Sequence, residues 1–444
     1  MRARVGVLAL LLLLLAGAGC TPITRAFHCT ADGACVDNEA RSGICQANGW
    51  CSFPALASEC ASGQRYGIFA GGGLANQCVT ALDSCGALGE RCCADAAMSA
   101  CQPKLQCIGG GCVGCVAGLA LGDGHGCALV RDGSVACWGK NDHGQLGNGT
   151  TGDAAAAVPV VDDHGLALGG VTAVVTGAAH SCALKSDGTL RCWGDNSSGQ
   201  LGGGGAQSMV NATPALVPLT SIVAVAAGAR HACAALSAGA VWCWGANEAG
   251  QLGVAAPASA PMPVEVVDKA GQPIDAVALA AGATHTCAVR RDQSLWCWGS
   301  NLSGELGDGS SATTSPPVAV SSLGRHVVAV AAGAHFGCAL GDDGKVRCFG
   351  QNDRGQAGQP AGAPAVVPMA VPGIDGVTAL AAGGTHACAR RGGGQLSCWG
   401  DGSGSPSPVQ DGVGAIGVGA NDRCSARSDG IACSVFGDPH LACP

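Results

Sequence analysis

The chain has 444 residues, too many for one ordinary hydrophobic core unless that core is built by repetition. It carries 74 glycines and 29 cysteines, only 12% charged and 3% aromatic residues, and a net charge of −8. That acidic balance opposes nucleic-acid binding, which draws on Lys and Arg to neutralise phosphates.

In chain order, Arg2 and Arg4 precede an apolar run from Val5 to Leu15 and the small-residue stretch "AGAGC". This reads as a secretory signal over residues 1–19, so the mature chain is expected to fold where disulfides persist. The ending resembles a bacterial lipoprotein signal, in which Cys20 would become the lipidated first residue. Gly17 stands where that family prefers Leu, and cleavage after "AGA" is the alternative. Lipidation of Cys20 would leave 28 of the 29 cysteines, an even number that suits complete pairing. The resemblance implies a chain held at a membrane surface without spanning it, and Thr21 is compatible with outer-membrane sorting. The expected location is therefore the outer membrane or cell surface, with free secretion as the alternative. After the leader no apolar run is long and clean enough to span a bilayer.

Residues 20–28 form a short linker, and residues 29–115 form a region with 13 cysteines. Cys29, Cys35, Cys45, Cys51, Cys60 and Cys78 suffice for three bridges, and Cys85, Cys92, Cys93, Cys101, Cys107, Cys112 and Cys115 make an odd seven. With so little apolar bulk, such a region needs cross-links to fold. "CVGC" at Cys112 and Cys115 has no second C-x-x-C at zinc-ribbon distance, so disulfides are expected there and no metal.

From Val116 to residue 444 one unit repeats. Copies such as "HGCALVRDGSVACWG" from His125 and "HSCALKSDGTLRCWG" from His180 each hold two cysteines. The first cysteines are Cys127, Cys182, Cys233, Cys287, Cys338, Cys388 and Cys424, and the second are Cys137, Cys192, Cys243, Cys297, Cys348, Cys398 and Cys433. Seven units with a period near fifty imply a solenoid or a propeller. Within each unit an apolar stretch such as "VTAVVTG" precedes the His–Cys and Cys–Trp strands, with Gly at every break.

The turn between the cysteines fixes their register. If Cys127 faces Cys137, then Leu129 faces Val135, and Arg131-Asp132-Gly133 remains as a three-residue loop. Such hairpins commonly end in a left-handed residue, which Gly fills without a Cβ clash. Equivalent loops end at Gly188, Gly239, Gly344 and Gly394, and only Arg291-Asp292-Gln293 lacks the glycine. The cysteines of each pair therefore face each other, and one cross-strand disulfide per unit is expected: Cys127–Cys137, Cys182–Cys192, Cys233–Cys243, Cys287–Cys297, Cys338–Cys348, Cys388–Cys398 and Cys424–Cys433.

A second signature follows the Cys–Trp strand: "WGKNDHGQLG" from Trp138, "WGDNSSGQLG" from Trp193, "WGANEAGQLG" from Trp244, "WGSNLSGELG" from Trp298 and "FGQNDRGQAG" from Phe349. These residues resemble the repeats of the regulator of chromosome condensation family. The resemblance covers residues 116–444 and implies an all-β, seven-bladed β-propeller preceded by the small disulfide-rich region. In such a ring, Trp138, Trp193, Trp244, Trp298, Phe349 and Trp399 read as packing between blades, and the small residues of "AVAAGA" suit crowded strands near the axis. The last two units lack the "GQLG" arm. Ring closure by a borrowed strand from around residues 107–115 is expected, with a Cys115–Cys443 clasp.

His125, His180, His231, His285, His335 and His386 precede the first cysteines and read as structural, since disulfided cysteines cannot serve as thiolate ligands. No P-loop or G-x-S-x-G motif is present, and acids such as Asp132, Asp187 and Asp343 sit in turns. The chain thus reads as a binding protein with no cofactor, no metal and no nucleic-acid partner. A monomer is expected, contacting another protein through loops on a ring face. "GTTGDAAAAVPVVDDHG" after Asn148 and "VAAPASAPMPVEVVDKAGQP" after Gly253 read as variable insertions suited to that role. The family resemblance leaves open an inhibitor of an enzyme, since a secreted β-lactamase inhibitor shares this repeat, and more remotely a hydrolase or lyase. Exchange activity on a nuclear GTPase fits poorly with export, acidic charge and disulfides.

Overall fold

In a computed structural model of the chain, residues 115–444 are described except 205–208, 256, 428–429, 436–438, 440 and 442–444; before residue 115 only the backbone of short strands between residues 21 and 114 is described. The chain divides into two compact units, Met1–Cys115 and Val116–Pro444. In the first, Ile44–Cys45, Cys51–Pro54 and Gln64–Tyr66 form a three-stranded sheet, and Leu105–Ile108 pairs with Gly111–Gly114. Among the described residues no helix is long and apolar enough to cross a membrane.

The second unit is an all-β, seven-bladed propeller. Six blades are four-stranded antiparallel meanders and the seventh, Ala415–Val418, Arg423–Arg427 and Gly430–Cys433, has three strands. Blade one runs from an inner strand, Val116–Leu121, through His125–Val130 and Val135–Gly139 to an outer strand, Ala154–Pro159. Among the described residues the sheet of blade seven holds its own three strands and no borrowed one from residues 107–115. Gly111–Gly114, from the stretch expected to supply that strand, pairs with Leu105–Ile108. The "GTTGDAAAAVPVVDDHG" and "VAAPASAPMPVEVVDKAGQP" stretches are not insertions either: they contain the outer strands Ala154–Pro159 and Ser259–Val266. Most of their side chains are partly or fully exposed, so a weak apolar pattern hides them.

The hairpin register agrees with the turn arithmetic. Cys127 faces Cys137, Leu129 faces Val135, and all seven cystines span Cα–Cα distances of 4.0–4.1 Å, the close, non-hydrogen-bonded kind of pair. In the first six blades these cystines are almost fully buried and face the next blade; Cys127 and Cys137 pack with Leu146, Ala183 and Trp193. The core is therefore a set of wedges between blades. The Cys115–Cys443 clasp cannot be placed: Cys115 is disulfide-bonded, but Cys443 lies outside the described residues.

The third turn residue has a second task. Gly133 has φ 85°, and its carbonyl accepts the N–H of Val171, the first inner-strand residue of blade two, at 2.9 Å. The same link runs from Ile222 to Gly188, Ala276 to Gly239, Val327 to Gln293, Val377 to Gly344 and Val413 to Gly394. Gln293 holds the left-handed conformation, φ 65°, without being glycine.

At the axis the blades meet through glycine. A methyl group on any of Gly122, Gly177, Gly228, Gly282, Gly333, Gly383 or Gly419 would lie under 3.0 Å from the carbonyl oxygen of the next glycine, and Gly419 closes the circuit onto Gly122. Beside this ring run inter-blade backbone bonds such as Ala178 N to Ala229 O, 3.1 Å, and Gly384 N to Gly419 O, 2.9 Å. Equilibrium denaturation should show Gly228→Ala destabilising the ring by ~3 kcal/mol, because its methyl group meets backbone and the His231 ring at once. The same measurement should show Gln293→Gly stabilising it by about 0.5–1 kcal/mol, by relieving the left-handed strain.

Candidate functional site

The N-x-x-G-Q-L-G arm, the most recognisable part of the repeat, is used up by the scaffold. Asn141 Oδ1 accepts the N–H of Leu146 at 2.9 Å, while its Nδ2 donates to the carbonyls of Thr150 and Gly152. Asn247, Asn301 and Asn352 bracket their arms in the same way. The Gln145 side chain accepts the N–H of His143, and its backbone carbonyl accepts Trp193 Nε1–H of the next blade at 2.9 Å. Trp244, Trp298 and Trp399 donate likewise to Gln200, Gln251 and Gln356. The final arm glycine lies against the same indole, as Gly147 does against Trp193. Phe349 has no ring N–H and packs only by its face, beside Gly307.

The histidines are structural as well. His125, His180, His231, His285 and His386 are buried, each beside the axial glycine three residues earlier or the strand that follows it. His125 Nε2–H donates to Ser181 Oγ at 2.9 Å, and Ser181 donates on to the Gln145 carbonyl; His231, Thr286 and Gln251 repeat this relay. His180 and His285 have no hydrogen-bond partner on either ring nitrogen, and the sequence has Ala232 and Gly337 at the positions equivalent to Ser181 and Thr286. Burial lowers His125 and His231 to about 3 and His180 and His285 to about 4. His335 breaks the pattern. Phe336 takes the buried place, and His335 lies half-exposed with Nδ1 3.5 Å from Glu305. Its bond to Glu305 raises it; burial pushes Glu305 up, but bonds from His335 and the Ser303 backbone bring it below its ordinary value.

Among the described residues two groups have metal-like composition, and both are committed elsewhere. Cys424 and Cys433 are bonded to each other beside Asp422. In the exposed Asp162-Asp163-His164 stretch, Asp162 Oδ1 accepts the N–H groups of His164 and Leu166 to close a turn. The central channel encloses about 420 Å³ and is walled by the small inner-strand residues, with Asp123 the one charged residue among them. Burial raises Asp123.

What remains is the surface at one channel mouth. In each of the first six blades the inner strand slips register between its first and third residues, a β-bulge that turns the second residue outward. These residues are Ala117, Thr172, Val223, Val277, Val328 and Thr378. On three successive blades they are valines, 53%, 42% and 46% exposed, and Lys185 and Arg391 lie opposite the strand starts on the flanking blades. Sequence reasoning missed this arc. Its one signal is paired apolar residues such as Ile222-Val223, which strict alternation cannot bury together.

This geometry defines a ring-closed β-propeller of repeated blades, in which the first five each send an arm to the next. The chain belongs to the RCC1-like domain family, whose model matches residues 79–428. It is 31% identical over 274 residues to the human E3 ubiquitin-protein ligase HERC2, a match spanning 60% of this chain but 6% of that protein. To the Arabidopsis thaliana ultraviolet-B receptor UVR8 it is 29% identical over 316 residues, 69% of this chain and 68% of that one. The crystal structure of Prp20p from Saccharomyces cerevisiae, described with its binding to Gsp1p and histones, superposes with a TM-score of 0.59 at 21% identity, covering 76% of this chain and 88% of that one.

The unpartnered histidines give a test of acid stability. Below pH 6.5 the unfolded chain binds protons that folded His180 refuses until about pH 4, so stability falls as pH drops through that window. His180→Phe copies what Phe336 already does in blade five. Urea titrations between pH 6.5 and 4 should show the variant folded, with a pH slope shallower by ~1.4 kcal/mol per unit.

Proposed function

We propose that this chain is an exported, lipid-anchored surface protein whose propeller binds another protein through the channel-mouth arc of Val223, Val277 and Val328. The fold is one suited to protein–protein interaction, and the observation that carries the reading is this exposed apolar arc on a rigid ring. Such an arc is a surface a partner can cover, whereas the Asn and Gln of the arms are bonded within the scaffold. Support for export comes from the sequence pattern of Arg2, Arg4 and the apolar run Val5 to Leu15 ahead of Cys20, and from cystines in every blade, which need an oxidising compartment to persist.

Two experiments test this. Cross-linking in envelope fractions, followed by binding of the recovered partner to the Val223→Asp/Val277→Asp/Val328→Asp variant, should show affinity falling at least ~10-fold with the fold retained. Unchanged affinity would move the site to another face, and a recovered partner that is an enzyme silenced on binding would identify inhibition as the role. Mass spectrometry of the N-terminal peptide should find the lipid on Cys20, and Cys20→Ser should release the protein from the membrane fraction.

A further inference from the structure

The outer strands share one position whose backbone faces away from the blade. Counting three residues beyond the partner of each third-strand glycine, register places Ala157, Pro214, Pro263, Pro317, Pro368 and Pro406 there. Five of the six are proline, which has no N–H and so blunts a sheet edge against further pairing. Blade one alone keeps a donor, and Ala157 N–H donates to the carbonyl of Pro439 at 2.7 Å.

That edge has a regular occupant elsewhere. Two residues before the shared position, the carbonyls of Ala212, Pro261 and Val366 accept the N–H groups of Gly149, Gly204 and Gly309, all from the preceding blade's arm region, at 2.9–3.0 Å. In an extended strand the carbonyl of one residue and the amide two residues on face the same side. Pro439 therefore lies where an arm from blade seven would lie, and the seventh repeat has no arm. The loss is visible at Trp138: its Nε1 is buried and unpartnered, whereas the equivalent indoles of blades two, three, four and six donate to the glutamine carbonyl of the blade before.

We infer that the outer edge of blade one is a docking site for the chain's own Pro439, whose carbonyl stands in for the missing seventh arm and clasps the ring. Ala157 escapes the proline rule because this edge must pair. The family match ends at residue 428, so the clasp lies beyond the part of the chain shared with the family.

The test compares the intact protein, Ala157→Pro, a chain with residues 437–441 replaced by Gly-Ser of equal length, and the two changes combined. The replacement leaves Cys443 in place. Hydrogen exchange should find the Ala157 amide protected in the intact protein and exchanging freely after replacement. Each single change should lower Tm by a few degrees, and the combination should lower it no further. Pro368→Ala in blade five should leave Tm unchanged. Fast exchange at Ala157 in the intact protein would overturn the assignment, even if the replaced chain fails to fold. So would an Ala157→Pro effect that is equally large with and without the native segment.

Discussion

Everything in the propeller follows from how closely seven backbones approach one another at the axis. The circuit from Gly122 to Gly419 leaves no room for a single Cβ, because each glycine sits against the next glycine's carbonyl and, in the first four blades, against a buried imidazole of its own. That spacing draws the inner strands together, which sets the angle between blades. The wedge that opens outward must then be filled by the cystine, the Leu of the arm and the next indole. Small residues inside and one large ring per wedge outside are two consequences of a single geometric demand.

Much of this was legible in the sequence where local rules and the repeat agree. The turn ending at Gly133 and the facing of Cys127 with Cys137 follow from hairpin chemistry alone, and the Trp at each wedge follows from the family pattern. What was not legible depends on neighbours in space. The outer strands Ala154–Pro159 and Ser259–Val266 look like insertions because most of their side chains are partly or fully exposed, so apolar alternation is weak. His335 looks like its five counterparts, yet a one-residue offset gives its buried place to Phe336. The outward valines are invisible to any pattern that treats a strand as unbroken, since a bulge shifts which residue faces water. Cys20 and the candidate Cys115–Cys443 bond lie, in whole or part, outside the described residues.

A repeat whose conserved-looking residues are all spent on holding the ring separates scaffold from recognition. Gln145, Trp193 and Ser181 meet in one bifurcated acceptor, and nothing of that network reaches solvent with a spare donor. Differences between repeats therefore carry more functional information than the repeats themselves. Val against Thr at the bulge, Glu305 against Gln in the arm, and Ala157 against proline at the outer edge are the informative positions.

The cystines also bear on how such a protein is assembled. Each joins residues nine or ten apart within one hairpin, so no blade must wait for a distant partner to oxidise. Fourteen thiols scattered over a long chain would otherwise offer a vast number of wrong pairings. Because each bond is internal to its blade, a whole unit can be duplicated or lost in the history of the gene with the thiol count changing by two and no sulfur left unmatched. The ring is modular in its covalent chemistry as well as in its shape.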